Sequence, residues 1–119
     1  MAANPIDGQI LLLTAAKASV PPVRLPDIVE VGQAHLWSNR ERYRREYERV
    51  HRGDELEAFL VPDDHWDGLG TELDLDDRER SAVRRAHQEQ FRRLGRRTDQ
   101  EEAFETALEI RDAVLIAIE

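Results

Sequence analysis

The last nine residues, RDAVLIAIE (111–119), hold an unbroken apolar run from Ala113 to Ile118. Whether that run is helical decides the fold. Upstream, T-D-Q-E at 98–101 has the S/T-x-x-E form of a capping box, which predicts a helix starting at Thr98. Phe104, Ala107, Leu108, Val114, Leu115 and Ile118 then share one wide apolar face at helical spacing, while Glu101, Glu102, Glu105, Glu109 and Asp112 mark an acidic side. The expectation is a helix from Thr98 to the C-terminus. Its end, from Ile110 to Ile118, is apolar almost all round. A helix apolar on every side must be covered on every side, yet the last turns of a chain usually fray. A second copy could cover them, so residues 110–118 predict a homodimer interface built on Ile110, Val114 and Ile118.

Moving toward the N-terminus, Asp76 and Glu79 form a second capping-box pattern, with Asp in the Ser/Thr place. The helix it opens carries Val83, Ala86, His87, Phe91 and Leu94 as its apolar stripe, and Gly95 reads as its stop. Residues 76–118 therefore predict an αα-hairpin with a short turn. This helix contains RRAHQEQFRRLGRRTD (84–99), with six arginines in sixteen residues. Phosphate affinity comes mostly from Lys and Arg, so a DNA-binding helix is one reading. Against it, Glu89 stands i,i+3 and i,i+4 to Arg92 and Arg93. The flanking blocks 54–77 and 98–119 carry −10 and −6 against +6 for 78–97. No aromatic residue stands on the basic face to stack on a base. A solvated or internally paired face is the stronger reading. A protein contact through Arg85 and Arg92 comes next, and nucleic acid is the weaker partner.

Residues 54–77 hold ten acids and no base. Ala58–Val61 fits a short strand stopped by Pro62. Beyond the proline, the chain reads either as a hairpin returning through TELDL or as a short helix carrying Trp66, Leu69 and Leu73, although Gly68 and Gly70 oppose the helix. Pro26 to Arg52 reads as one amphipathic helix of about seven turns, with Pro26 at its start and Gly53 past its end. In it Ile28, Val29, Gly32, Leu36, Tyr43, Tyr47 and Val50 share a face. Asp7 to Ser19 is a first helix, N-capped by Asp7 and ended by Pro21-Pro22. The predicted fold is thus mostly α: one domain, 1–119, of four main helices around one core, with a short strand or hairpin near 57–75 as an option.

The 119 residues have a net charge of −8, 16 arginines and a single lysine, Lys17, against 25 acids. Lysine depletion with acid excess resembles the small acidic proteins of extremely halophilic archaea. That resemblance lies in composition alone and implies no functional residue. There is no cysteine, hence no disulfide, thiolate metal site or thiol nucleophile. No apolar run approaches the roughly 20 residues that span a bilayer, and MAANPIDG lacks a basic segment, so a cytoplasmic location is expected.

Candidate sites are sparse. PDDHWDG (62–68) offers Asp63, Asp64, His65 and Asp67 as ligand types for a divalent metal, but no second His or carboxylate motif stands at a recognisable spacing, and a helix cap and acidic turn after Pro62 is the stronger reading. His87 lies in an apolar stripe and reads as a partly buried, hydrogen-bonded histidine. His35, His51 and His87 form no catalytic arrangement in the sequence, the serines sit on no nucleophile elbow, and the glycines form no phosphate loop. Trp37 lies off the core face among arginines, a pairing enriched at interface centres, although a covering by helix one or by the 54–75 segment is the stronger reading. The expected function is a non-enzymatic interaction or adaptor protein, without cofactor, partnered by a second copy or another protein. A small DNA-binding regulator using 78–97 is the alternative.

Removing salt is expected to lower the melting temperature, because repulsion within 54–77 and 98–119 is unscreened at low ionic strength. Thermal melts along a potassium chloride series measure this. A melting temperature that rises on dilution contradicts it.

Overall fold

Residues 4–118 are described by a computed structural model, and in it the terminal apolar run is a strand. Strand β3, Asp112–Ala117, pairs antiparallel with β2, Leu56–Val61, from Val61↔Asp112 to Leu56↔Ala117. On its other side β2 pairs antiparallel with β1, Glu48–Arg52, giving the order β1-β2-β3. Every residue of β2 and β3 is buried. A strand covered on both faces shows no polar alternation, and a short apolar run of this kind cannot be told from a buried helix by periodicity. The preceding helix stops at Ile110, and Arg111 is already extended at φ −134° and ψ 176°. The helix expected from Thr98 to the C-terminus is therefore corrected to a helix followed by a strand.

The sequence expectation of four main helices around one core is corrected as well. Among the described residues there are six helices and a three-stranded sheet. The long helix expected over 26–52 is three elements: α2, Arg24–Ser38; α3, Arg40–Glu46; and β1. The break is at Asn39, whose Nδ2 donates to the carbonyl of His35 at 2.8 Å. An Asn side chain bonded to nearby backbone competes with the helix ladder. Tyr47 then turns extended, and the polar stretch Glu48–Arg52 leaves to pair with β2.

The strand read at Ala58–Val61 is present and begins earlier, at Leu56, but no hairpin returns through TELDL. Instead α4, His65–Glu72, is the short helix, with Trp66 and Leu69 buried. Gly70 is required there: a Cβ on it would meet the Arg80 side chain at 2.9 Å. The first helix, α1, spans Gly8–Ala18 and ends on Ser19 in the left-handed region, φ 57°. Asp7 occupies the N-cap place but caps nothing with its side chain. Its carboxylate accepts from Arg93 Nη1 at 2.5 Å and Arg97 Nη2 at 3.3 Å.

The capping box at Asp76 forms as expected: Glu79 N–H donates to Asp76 Oδ1 at 2.8 Å, and Asp76 N–H donates to Glu79 Oε1 at 3.1 Å. It opens α5, Asp77–Arg97, which runs past Gly95. Gly95 is no stop. A Cβ there would come within 3.0 Å of the Phe104 ring and 3.3 Å of Glu101 Cα, so the glycine lets α5 and α6, Glu101–Ile110, approach closely. Phe91 and Phe104 stack across that contact at 4.2 Å between ring centroids. The box expected at Thr98 does not form, because its hydroxyl donates back to the Leu94 carbonyl at 2.8 Å. The αα-hairpin is real over α5 and α6 only. No helix among the described residues is long and apolar enough to cross a membrane.

The outer edge of β3 has no strand beside it. Three helices close it with one polar side chain each. Gln33 of α2 donates from Nε2 to the Leu115 carbonyl at 2.8 Å and accepts from Ala117 N–H at Oε1 at 2.9 Å. His87 of α5 accepts from Leu115 N–H at Nδ1, 3.0 Å away. Trp66 of α4 donates from Nε1 to the Ala113 carbonyl at 3.1 Å. Buried backbone groups without partners cost about as much as a lost hydrogen bond each, so these side chains set where the helices sit. His87 must be neutral with its proton on Nε2, since Nδ1 accepts. Burial agrees, pushing its pKa down to about 3.

His87→Leu leaves Leu115 N–H unpaired and is expected to cost about 1–3 kcal/mol at pH 7. The folded pKa of His87 lies below the unfolded value of 6.5, so its contribution is intact above that value. As pH falls from 6.5 toward about 3, the wild type loses about 1.4 kcal/mol per unit through this group, and the variant does not. Urea unfolding at pH 7 and pH 5 is expected to show the gap between the two narrowing in acid. A gap that stays constant contradicts a neutral, buried His87.

Candidate functional site

A cleft of 390 Å³ opens where α2, α3 and α4 meet, lined by His35, Asn39, Arg42, Tyr43, Tyr47, Asp64, His65 and Glu72 among others. Local sequence places each part. Tyr43 and Tyr47 stand one turn apart at the end of α3, so their rings face the same way, 5.1 Å between centroids. His65 opens α4 just after Pro62 ends β2, and its ring packs edge-on to both tyrosines at 5.5 and 5.1 Å. Phe59 of β2 backs Tyr43 at 5.8 Å. The Asn39 break turns α3 toward α4, and His35, one turn earlier, meets Glu72 at the far end of α4 at 2.8 Å.

The electrostatics follow from depth. The Tyr43 hydroxyl lies 2.6 Å from His65 Nε2. Burial raises the Tyr43 phenol above its usual pKa, so it stays protonated and donates. Burial, with the Arg42 charge beside it, lowers the His65 pKa, so the imidazole is neutral and accepts at Nε2. A base whose lone pair already holds a phenol proton has none for a substrate. The cleft is suited to holding a polar or aromatic group against three rings, with His35 and Glu72 at its rim. Among the described residues no three acids or histidines are placed to hold a metal ion.

PDDHWDG is thereby divided. Asp64, His65 and Asp67 line the cleft, Asp67 lies 3.6 Å from Arg80, and Trp66 turns inward to β3. His87 is buried as its stripe implies. His51 lies on β1, outside the cleft. Tyr43, Tyr47 and Glu72 carried no signal of a site, because their partners come from a separate helix.

The residues expected to meet partners scatter. Trp37 is half-buried against the core, with the Arg40 guanidinium 4.1 Å from the centre of its ring. Arg92 pairs with Glu89 and with Glu105, whereas Arg85 is exposed and has no ion-pair partner among the described residues. Val114 is fully buried in β3 and Ile118 half-buried, which removes the dimer surface expected over 110–118. Ile110 alone of that set is exposed, at 72%. It lines a 510 Å³ groove with Val50 of β1 and Ala103, Phe104 and Ala107 of α6.

An ion cluster around one buried carboxylate flanks that groove. Glu57, in the middle of the sheet, accepts from Arg44 Nε at 3.1 Å and Arg49 Nη1 at 2.9 Å. Burial alone would raise the Glu57 carboxyl, but the two guanidinium groups outweigh it and hold it below its usual pKa.

Tyr43→Phe removes the donor that holds the His65 lone pair. The His65 pKa is expected below 6.5 in the wild type and higher in the variant. Imidazole proton shifts followed by NMR across pH 4–8 report both values. An unchanged His65 titration in the variant contradicts the hydrogen bond.

No curated protein and no solved structure shows significant similarity to this chain. A family profile described as a domain of unknown function, DUF8048, matches residues 4–118. That match spans nearly the whole chain, and the protein belongs to the DUF8048 family.

Proposed function

We propose that this protein is a non-enzymatic interaction module that associates with a second copy of itself through the open edge of its sheet. The observation that carries this reading is the contrast between the two edges. Side chains from three helices close β3, whereas no described residue bonds to the outer edge of β1. An open edge is a template for another strand.

The sequence of β1, ERVHR, suits self-pairing. Antiparallel pairing about Val50 sets Glu48 of each copy opposite Arg52 of the other, and opposite charges across strands stabilise a pair by about 0.2–1 kcal/mol. Five residues of edge are too few for a stable dimer, which buries about 1,200–2,000 Å². The adjoining groove supplies apolar area, with Ile110 and Val50 at its margin. The arrangement keeps the expected homodimer and the expected part played by Ile110, but moves the interface from the buried β3 to β1 and α6.

Light scattering in concentrated potassium chloride is expected to give the mass of a dimer. Val50 is the irregular position between the paired Arg49 and His51, so Val50→Pro disturbs the β1–β2 ladder little while blocking the outer edge. Ile110→Asp changes an exposed side chain only. Both variants are expected to be folded monomers at micromolar concentration. A monomeric wild type at every concentration, or variants that remain dimeric, overturns the proposal.

A further inference from the structure

We propose that a second cleft, between α1 and α5, binds a small phosphorylated ligand. It has a volume of 330 Å³, the size of a small-molecule site. Four cations line it, Lys17, Arg84, Arg85 and Arg92, against one carboxylate, Glu89, which Arg92 already holds. In a chain of net charge −8 this is a concave surface of the opposite sign. Concave walls concentrate such a field on a bound anion.

Part of the site is prearranged. Asp112, at the start of β3, is fully buried, and its Oδ2 accepts from Arg84 Nε at 2.5 Å. Its Oδ1 accepts from Gln88 Nε2 at 3.1 Å. Arg84 is thus anchored through Nε, and its two terminal nitrogens make no hydrogen bond to any described residue. A guanidinium held in place presents a planar fork, which matches phosphate oxygens. Lys17 and Arg85 on the cleft walls have no ion-pair partner among the described residues, and the Ser81 hydroxyl stands between the helices as a further donor. Three cationic groups with unused donors converge on one opening, which fits a multiply charged phosphate better than a single carboxylate. A DNA duplex would have to approach past the acidic blocks on both sides of α5, whereas a small anion enters the cleft alone.

The probe is inorganic pyrophosphate, titrated by calorimetry at the lowest potassium chloride concentration that keeps the chain fully folded. One saturable site is expected. Lys17→Gln and Arg85→Gln change side chains with no ion-pair partner among the described residues, are expected to leave the thermal melt unaltered, and are each expected to weaken binding about tenfold or more. Arg96→Gln removes an equal charge from the same helix outside the cleft and is expected to leave affinity within about twofold. Absence of saturable binding overturns the proposal, as does an equal loss in all three variants, which would mean net charge alone is read. Tighter binding of a random-sequence DNA duplex that displaces pyrophosphate also overturns it, in favour of a nucleic-acid surface.

Discussion

The structure depends on closing one edge of one strand. β3 is buried on both faces, so water cannot satisfy the backbone groups on its free side. Gln33, His87 and Trp66 do so instead, each from a different helix. Four long-range hydrogen bonds from three side chains to a single strand leave little freedom in how α2, α4 and α5 are arranged. They also explain three polar side chains that would otherwise burden an apolar core, since each is buried because it has a backbone partner. The Gln33 amide is oriented unambiguously, with its NH₂ on a carbonyl and its oxygen on an N–H.

The charges buried within the sheet follow a similar logic. Glu57 and Asp112 are the two acids buried among strand residues, and arginines from α3, β1 and α5 reach them. Removing a partner from such a pair leaves a buried charge unpaired, which costs far more than the pair itself contributes. Of the eight arginines on α5, Arg80, Arg84, Arg92, Arg93 and Arg97 form ion pairs within the chain among the described residues. The arginine-rich helix is in large part the counterpart of acids on α1, α4, α6 and β3. Arg78, Arg85 and Arg96 are left over among the described residues, and of these three only Arg85 lines the cleft, with Lys17 of α1 on its other wall.

Closing β3 and leaving β1 open also gives the molecule a direction. The helices gather around β3, while β1 with α6 forms an outward margin where an exposed Ile110 meets a short, charged and irregular strand. Charges and a bulge on an edge strand guard against indiscriminate pairing, yet they still allow pairing with a sequence of complementary charge order. The Tyr43–His65 cleft lies on the α3 side of the same sheet, with a neutral phenol–imidazole pair inside it and the His35–Glu72 contact at its rim.

The sequence by itself determined the parts whose signals are local. The Asp76–Glu79 box opened α5 as read, the His87 and Phe91 stripe is buried as read, and Ala58–Val61 is a strand stopped at Pro62. Helix one and the α5–α6 hairpin were legible from apolar spacing and the proline stop, although the Asp7 side chain does not cap α1, the Thr98 box does not form and Gly95 lies inside α5. What only the tertiary structure decided is the state of segments whose local signals were ambiguous. Ala113–Ile118 became a strand because β2 offered a ladder and helices covered both faces, conditions that periodicity within six residues cannot report. The run from Pro26 to Arg52 looked like one helix because its apolar residues keep helical spacing across Asn39, where a side-chain bond to the His35 carbonyl interrupts the ladder, while the strand state of Glu48–Arg52 depends on pairing with β2. Gly95 looked like a stop because a close approach by Phe104 is invisible in one dimension. The candidate site was hidden for the same reason: Tyr43, His65, His35 and Glu72 come from three helices, and only their packing brings hydroxyl, imidazole and carboxylate within hydrogen-bonding distance.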